Sequence, residues 1–519
     1  MPEGTHLERT AAFTQQVQTL TWQLNEVSEI ATYVGKPSSM DFNAMVRGYY
    51  RREAAHLAEL RVLLIDKSER EHQSHAVVMR LRKQLAPLAK QGIVIKVVEV
   101  PPGPPVLSTL VAEVYRDDFV EQQTHYQAAK QLAERLKQEP HVVEVDTSMV
   151  APSPLQRFVT DKSKAAISAV STQNIAQSLS VATQGETIGV LYVSSETKPV
   201  DIKLQLPYSE RNQISQLLAL QVRGDRDLAK TSNEFGLQSA PRPLVSLSEL
   251  GEFTQHQVAD IRVRKDQRDV IYVMAELNGR TPAEVIADVN ADFNAEPNYF
   301  EQTPWINRHF FNNGGTVPWQ LPKGTYANFS GEGEWRITID VFRDMGIAFA
   351  FALSAIFIIL RVQTQSASLS LIIMSAIPLT VIGIMPGFWL LNQFGERAIA
   401  GAPEPVLFTA TAMIGMIALA GIVVRNSLIL VEFINQARGQ GMTIKDALVA
   451  AGTVRMRPVL LTAGTTLLGN LVITLDPVFS GLAIAIIFGI VASTVFSLFV
   501  VPLVYYLVFA SSEGEAHAG

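Results

Sequence analysis

The residue best placed to do chemistry is Arg425, the single charge within the apolar run FTATAMIGMIALAGIVVRNSLILV that begins at Phe408. A guanidinium at the centre of a bilayer costs at least about 2.5–3.5 kcal/mol, so it is normally kept only where it has a partner and a task. A suitable carboxylate is not close in the sequence. Glu432 is seven residues on, roughly 10 Å along a helix axis and near the membrane end. Asp476 sits at the far end of the next apolar segment. The pattern implies a charge-handling assembly whose acidic part is supplied from elsewhere.

The segments that must hold this arginine are legible from hydropathy. Five runs, about 343–361, 368–391, 407–432, 458–475 and 480–509, are long enough to cross a bilayer of about 30 Å. Pro378 and Pro386 fall in the second, where packing on neighbouring helices makes proline tolerable. The loop after the third run carries Arg438, Lys445, Arg455 and Arg457 against Asp446, and the loop before it Glu396, Arg397 and Glu404. The excess of basic residues makes the former cytoplasmic. The tail 511–519 is then cytoplasmic and the N-terminal 340 residues lie outside. Nothing near Met1 reads as a signal peptide, so Met1 is expected to be an internal position of a longer protein, with a separately encoded half as the alternative.

Composition narrows the classes. At 519 residues the chain holds several domains. A net charge of −6 and the lack of a basic face argue against nucleic acid. With no cysteine there is no disulfide framework, thiolate metal site or cysteine nucleophile. No phosphate loop, nucleophile motif or metal triad stands out, so an enzyme is not expected.

The polar region before the apolar runs alternates helix and strand signals. Thr5-x-x-Glu8 reads as a capping box opening a helix to about Leu24. RVLLID (61–66) and IVIKVVEV (93–100) read as strands around the amphipathic VVMRLRKQLAPLAK, and PPGPP (101–105) ends that unit. A second unit has strands LVAEVY, HVVEVD and DVIYVMAEL, and a helix opened by Thr281-Pro282-Ala283-Glu284. Residues of about 156–256 interrupt it. Such repeats predict small α+β sandwiches with helices on one sheet face. The stretch 305–324 reads as an irregular, aromatic loop near the membrane surface, and Asn470 as a source of a helix–helix hydrogen bond.

Three segments, GIVVRNSLILVEFINQAR (421–438), VRMRPVLLTAGTTLLGNL (454–471) and the last span ending FVVPLVYYL, give the layout a likeness to a known family. The chain resembles the C-terminal half of resistance–nodulation–division (RND) transporters, in the hydrophobe/amphiphile efflux branch of multidrug permeases. FVTDKSKAAISAVSTQNIAQSL (158–179), with VDIKLQLP and PLVSLSELGEF, resembles that family's inserted docking region. The resemblance implies a membrane protein with ferredoxin-like (split βαβ) porter subdomains, an inserted docking subdomain and five transmembrane helices. Residues 1–105 would be one porter subdomain, 106–155 with 257–330 a second, 156–256 the docking subdomain, 331–342 a link, and 343–510 the helices. It further implies a homotrimer in the Gram-negative inner membrane, with its N-terminal region periplasmic. An adaptor protein and an outer-membrane channel would be its partners, besides membrane lipid and a missing N-terminal half bearing transmembrane carboxylates. No cofactor is implied beyond the proton gradient, and no metal centre.

By the same resemblance Arg425 and Asn426 align with the family's cation and following asparagine, although many members have lysine at the first position. Protonating the opposing carboxylates would release that cation. Arg455 and Thr462 align with a cytoplasmic-side proton path. The segment GKPSSMDFNAMVRGYY (35–50) falls where the family has a loop between substrate pockets, with Met40, Phe42, Tyr49 and Tyr50 as candidate lining residues. Export of amphiphiles is the expected function. Metal-ion efflux by the same fold, or a non-transporting scaffold or regulator, are the alternatives.

Overall fold

A computed structural model describes the chain except residues 67–68, 71, 91, 101–104, 151–153, 197, 226–229, 234–235, 240–241, 258–260, 297–302, 310, 396–405, 477 and 517–519. Most of the PPGPP run, the acidic loop of Glu396, Arg397 and Glu404, and the last residues of the tail therefore lie outside the described residues. The chain divides into two compact units, Met1–Met149 with Arg262–Gly519, and Val150–Ile261.

In the first unit, α1 (Leu7–Thr21), β1 (Val27–Val34), α2 (Phe42–Val46), β2 (Ala58–Leu64) and α3 (Ser74–Leu85) come first. β1 and β2 pair antiparallel, and Val17, Val77, Leu81 and Leu85 of the two longer helices pack with Leu24 and Val27 into a core. The expected capping box at Thr5 does not form. His6 is the N-cap and its side chain does not cap the helix, while the Thr5 hydroxyl donates to the carbonyl of Pro2 instead. Residues 93–100 are also not a strand, despite their alternation. Next come β3 (Leu110–Arg116), α4 (Gln122–Lys137) and β4 (Val142–Thr147).

The second unit holds β5 (Pro154–Thr160), α5 (Lys162–Ile167), α6 (Thr172–Thr183), β6 (Glu186–Leu191), β7 (Val200–Leu204), α7 (Tyr208–Arg211), α8 (Ile214–Leu218), β8 (Gln221–Arg223), β9 (Lys230–Asn233), β10 (Gly236–Ser239), β11 (Leu244–Ser246), α9 (Leu247–Leu250) and β12 (Gly251–Gln257). Its strands form antiparallel pairs, β5 with β12, β6 with β7, β8 with β11 and β9 with β10. Leu247, Leu250, Ile175 and Val222 centre its core.

The chain returns to the first unit with β13 (Val263–Lys265), β14 (Arg268–Leu277), α10 (Pro282–Ala291) and β15 (Thr325–Asn328). These complete a five-stranded antiparallel sheet in the order β13-β14-β3-β15, with β4 on β14. Leu132 and Leu136 of α4 and Val285 and Val289 of α10 pack against Val114 and Val273 of that sheet. The capping box expected at Thr281 and Glu284 is present.

Six helices follow: α11 (Glu334–Thr364), α12 (Ala367–Met374), α13 (Ala376–Gly395), α14 (Ala410–Gly439), α15 (Ile444–Ile473) and α16 (Ser480–Ala516). With α12 and α13 taken as one span, five are long and apolar enough to cross a membrane. The α15 helix starts fourteen residues before the apolar run at 458, so Arg455 and Arg457 lie inside a helix rather than in a loop. Ile384 of α13, Leu419 and Leu430 of α14, and Ile490 and Val501 of α16 form the bundle's interior. The apolar windows of α14 and α16 are 44% buried, whereas those of α11 and α15 are 6% buried. Few residues in the apolar stretches of α11 and α15 are therefore enclosed by the rest of the bundle.

Candidate functional site: an arginine on an open transmembrane stripe

The sequence GIVVRNS places Arg425 midway along α14 on the face turned away from α13 and α16. Val423, Val424, Ser427, Leu430 and Val431 point into the bundle, while Ile414, Ala418, Gly421, Arg425, Ile429 and Glu432 form one exposed stripe at helical spacing. A Cβ added at Gly421 would meet nothing within 4 Å. Among the described residues no hydrogen bond or ion pair to Arg425 occurs. Small residues beside a polar one are what a transmembrane helix offers to a closely packed neighbour. The stripe can thus receive a helix carrying acid groups.

The other expected residues fall into place differently. Asn426 is half-buried on α14. Arg455 on α15 stacks its guanidinium 5.2 Å from the Phe433 ring centroid, with Nε buried and unpartnered. Arg425 is eight residues before Phe433 and Thr462 seven after Arg455, so the antiparallel helices bring Arg425 and Thr462 to a similar depth, about 11–12 Å from the Arg455 level. The Thr462 hydroxyl donates to its own helix at Val459 O, 3.0 Å. Among the described residues Asn470 makes no helix–helix bond. Its amide donates to Thr466 O at 2.8 Å, because that carbonyl is one turn back and always within reach.

Sequence reading missed a polar seam inside the bundle. Ser427 of α14 and Ser497 of α16 are buried with their hydroxyls 3.5 Å apart, and Thr494 Oγ1 is buried without a partner. Towards one end, Tyr505 donates to Asn435 Oδ1 at 2.8 Å and accepts from Arg438 at 3.3 Å. The signal available was a serine two residues after the arginine, on the opposite face.

Met40, Phe42, Tyr49 and Tyr50 share one short segment. Met40 and Phe42 are 61% and 64% exposed, Tyr50 45%. Arg52 lies over the Tyr49 ring and Arg51 over that of Tyr50. Among the described residues no three His, Asp or Glu side chains converge as metal ligands.

The largest unforeseen feature is a buried charge network under the loop 303–317. Arg135 of α4, Glu139 just beyond its end, Arg280, Asp288 of α10, Asp292 and Arg308 have side chains at most 7% exposed. Glu139 accepts from Arg135 at 2.9 Å, Arg280 at 2.8 Å and Arg308 at 2.8 Å. Asp292 accepts from Arg135 at 2.6 Å and from the amides of Gly315, Thr316 and Val317 at 2.9–3.3 Å. Three cations and three carboxylates neutralise one another, and Asp288 and Asp292 between them hold the amides of residues 314–317.

The AcrB/AcrD/AcrF family model matches residues 1–303 and 316–509. The nickel and cobalt resistance protein CnrA of Cupriavidus metallidurans is 25% identical over 437 residues, covering 82% of this chain and 36% of that protein. The cobalt-zinc-cadmium resistance protein CzcA of the same organism is 22% identical over 413 residues, 79% and 34% of the two chains. The multidrug resistance protein MdtC of Erwinia tasmaniensis is 33% identical, over only 163 residues, 30% and 14%. A crystal structure of a heavy metal efflux pump superimposes with a TM-score of 0.69 at 18% identity, covering 98% of this chain and 46% of that one. The chain therefore spans about a third to a half of the length of these full-coverage relatives. With all of its residues except 304–315 and 510–519 matched by the family model, this chain belongs to the AcrB/AcrD/AcrF family of RND efflux transporters.

Proposed function

We propose that this chain is the C-terminal half of a proton-driven inner-membrane exporter whose cargo is a divalent metal cation. The observation that carries the reading is Arg425, cationic and unpaired among the described residues on an open stripe of an apolar helix. Carboxylates from the remainder of the protein would pair with it. Loading them with protons removes their charge and with it the attraction, while the arginine stays charged throughout. Arg455 and Thr462 would lie on the path from the cytoplasmic side, with Asn426 beside the switch. Residues 1–149 and 262–330 would be periplasmic porter modules and Val150–Ile261 the docking module. The assembly would be a trimer working with an adaptor and an outer-membrane channel.

The metal cargo is favoured by several of the relatives that cover most of the chain, which are named for nickel, cobalt, zinc and cadmium resistance. A second reading, export of amphiphiles, is favoured by one observation: Met40, Phe42, Met45 and Tyr50 are exposed together on one segment. The complete gene in a metal-sensitive host separates the two. Uncoupler-sensitive efflux of Ni²⁺, Co²⁺ or Zn²⁺, lost in Arg425→Ala at normal expression, supports the proposal. Dye efflux without metal tolerance replaces the cargo, and undiminished efflux by Arg425→Ala removes this arginine from the mechanism.

A further inference from the structure

The segment carrying Met40, Phe42, Met45 and Tyr50 is fastened at its two ends to two different sheets. At its start, Asp41 caps α2 by accepting from the Ala44 amide at 2.7 Å and pairs with Arg61 of β2. Arg61 also donates to Ser39 O at 3.1 Å, and Ser38 donates to Glu59 of β2 at 2.6 Å. At its end, Arg47 follows α2 and reaches Glu276 of β14 at 3.2 Å, with side chains 6% and 17% exposed. Gly48 then turns the chain through the left-handed region at φ 68°, which a side chain would strain.

Glu276 is more than a partner for Arg47. Ser108 donates to its Oε1 at 3.0 Å and Thr109 to its Oε2 at 2.5 Å. The carbonyl of Thr109 in turn accepts from the amide of Glu334, the first residue of α11, at 3.3 Å. Three contacts in series thus run from the exposed segment to the entry of a transmembrane helix: Arg47 to Glu276, Glu276 to Thr109, and Thr109 to Glu334. The same entry is pressed onto β3, where a Cβ on Gly333 would sit 3.0 Å from the Val111 amide nitrogen. Close packing of Gly333 on Val111 and Thr109 keeps the start of α11 against the strand edge that Thr109 adjoins.

We infer that Arg47 is a positioning residue that links the exposed methionine and aromatic segment to the start of α11 through Glu276 and Thr109. Displacing the segment, as a bound cargo would, pulls on Glu276 and shifts the first turn of α11; releasing Arg47 uncouples the two. The inference rests on the proposed role of residues 40–50 only for what pulls, whereas the linkage itself is independent of transport.

The absence of cysteine makes the test direct. Nitroxide labels are placed singly at Phe42→Cys and at Ile337→Cys in the full chain reconstituted in lipid nanodiscs. Arg47→Gln is expected to remove the immobilised spectral component at both labels. The charge exchange Arg47→Glu with Glu276→Arg is expected to restore it at Phe42→Cys, which a purely volumetric role for either residue would not do, but not at Ile337→Cys, because an arginine at 276 cannot accept from Thr109. Mobilisation at Phe42→Cys alone overturns the link to α11, and a failed exchange overturns the electrostatic tie. If Arg47→Gln does not accumulate, Thr109→Val breaks the chain one contact later. It is expected to loosen the Ile337→Cys label, and an unchanged label overturns the proposal. All these spectra can be read whether or not the protein exports anything, so a failure here is distinct from a failure of the functional reading.

Discussion

Replacing Asp292 by asparagine preserves its shape and leaves one uncompensated positive charge in the buried network of Arg135, Arg280, Arg308, Glu139 and Asp288. Arg135, whose side chain is 1% exposed, would keep the Val317 carbonyl and, as its carboxylate, Glu139, which it already shares with two other guanidinia. Removing one partner of a buried ion pair costs about 3–5 kcal/mol, because the stranded charge has lost its hydration and its counter-ion together. That cost should appear locally, since the amides of Gly315, Thr316 and Val317 all donate to Asp292. Local opening is read by hydrogen exchange. At about 1.4 kcal/mol per factor of ten, exchange of the peptide containing residues 314–319 should accelerate about a hundredfold to a few thousandfold in Asp292→Asn. Peptides from α14 and α16 should not change. Arg135→Leu with Asp292→Asn restores neutrality, with Arg280 and Arg308 facing Glu139 and Asp288, and should recover most of the protection. If exchange in Asp292→Asn stays within about threefold of the parent, the network is not what holds the loop and the argument from buried charge is wrong.

Further outcomes follow from single positions. Gly383 of α13 lies so close to α16 that a Cβ would sit 2.2 Å from that of Ala492 and 2.8 Å from Phe488 O, so Gly383→Ala should lower bundle stability by about 1–3 kcal/mol, measured by thermal unfolding in detergent. His125 is fully buried and, through Nε2–H, donates to Val114 O at 2.8 Å, while burial lowers its pKa. The unfolded chain therefore binds the proton more readily. Stability from this group is complete above the unfolded histidine value of about 6.5 and is lost as pH falls towards the lower folded value. His125→Gln should flatten that part of a pH–stability curve, and an unchanged slope would exclude the assignment. Thr281→Ala should cost about 1 kcal/mol in α10 through loss of the cap, seen as faster exchange in its first turn.

What the sequence made legible was whatever depends on neighbours along the chain. Long apolar runs gave five spans, and Thr281-Pro282-Ala283-Glu284 gave a cap, since both signals are local. Identical spacing at Thr5 and Glu8 failed because His6 took the cap position and the threonine found a nearer carbonyl. The alternation of IVIKVVEV promised a strand, but a strand also needs a partner backbone, which periodicity does not report. Hydropathy missed the first half of α15, whose amphipathic turns pack Ile444, Ala447 and Ala451 inward without being apolar throughout. For the site, Arg425 was visible as a lone charge in an apolar run. The strap of Arg47 and Glu276, 229 residues apart, and the sextet around Glu139 were not. Each residue there looks like an ordinary surface charge until the sheet brings them together.

The hydroxyls along α15 carry one more implication. Thr462, Thr465 and Thr466 each donate to a carbonyl of their own helix, as does the Asn470 amide. A surface whose polar groups are already satisfied is equally at ease against acyl chains and against protein, so it neither demands nor refuses a companion. Arg425, on the neighbouring helix, has no such indifference. On the proposed reading, a further membrane helix would gain most at the depth of Arg425 and little along the self-satisfied face of α15.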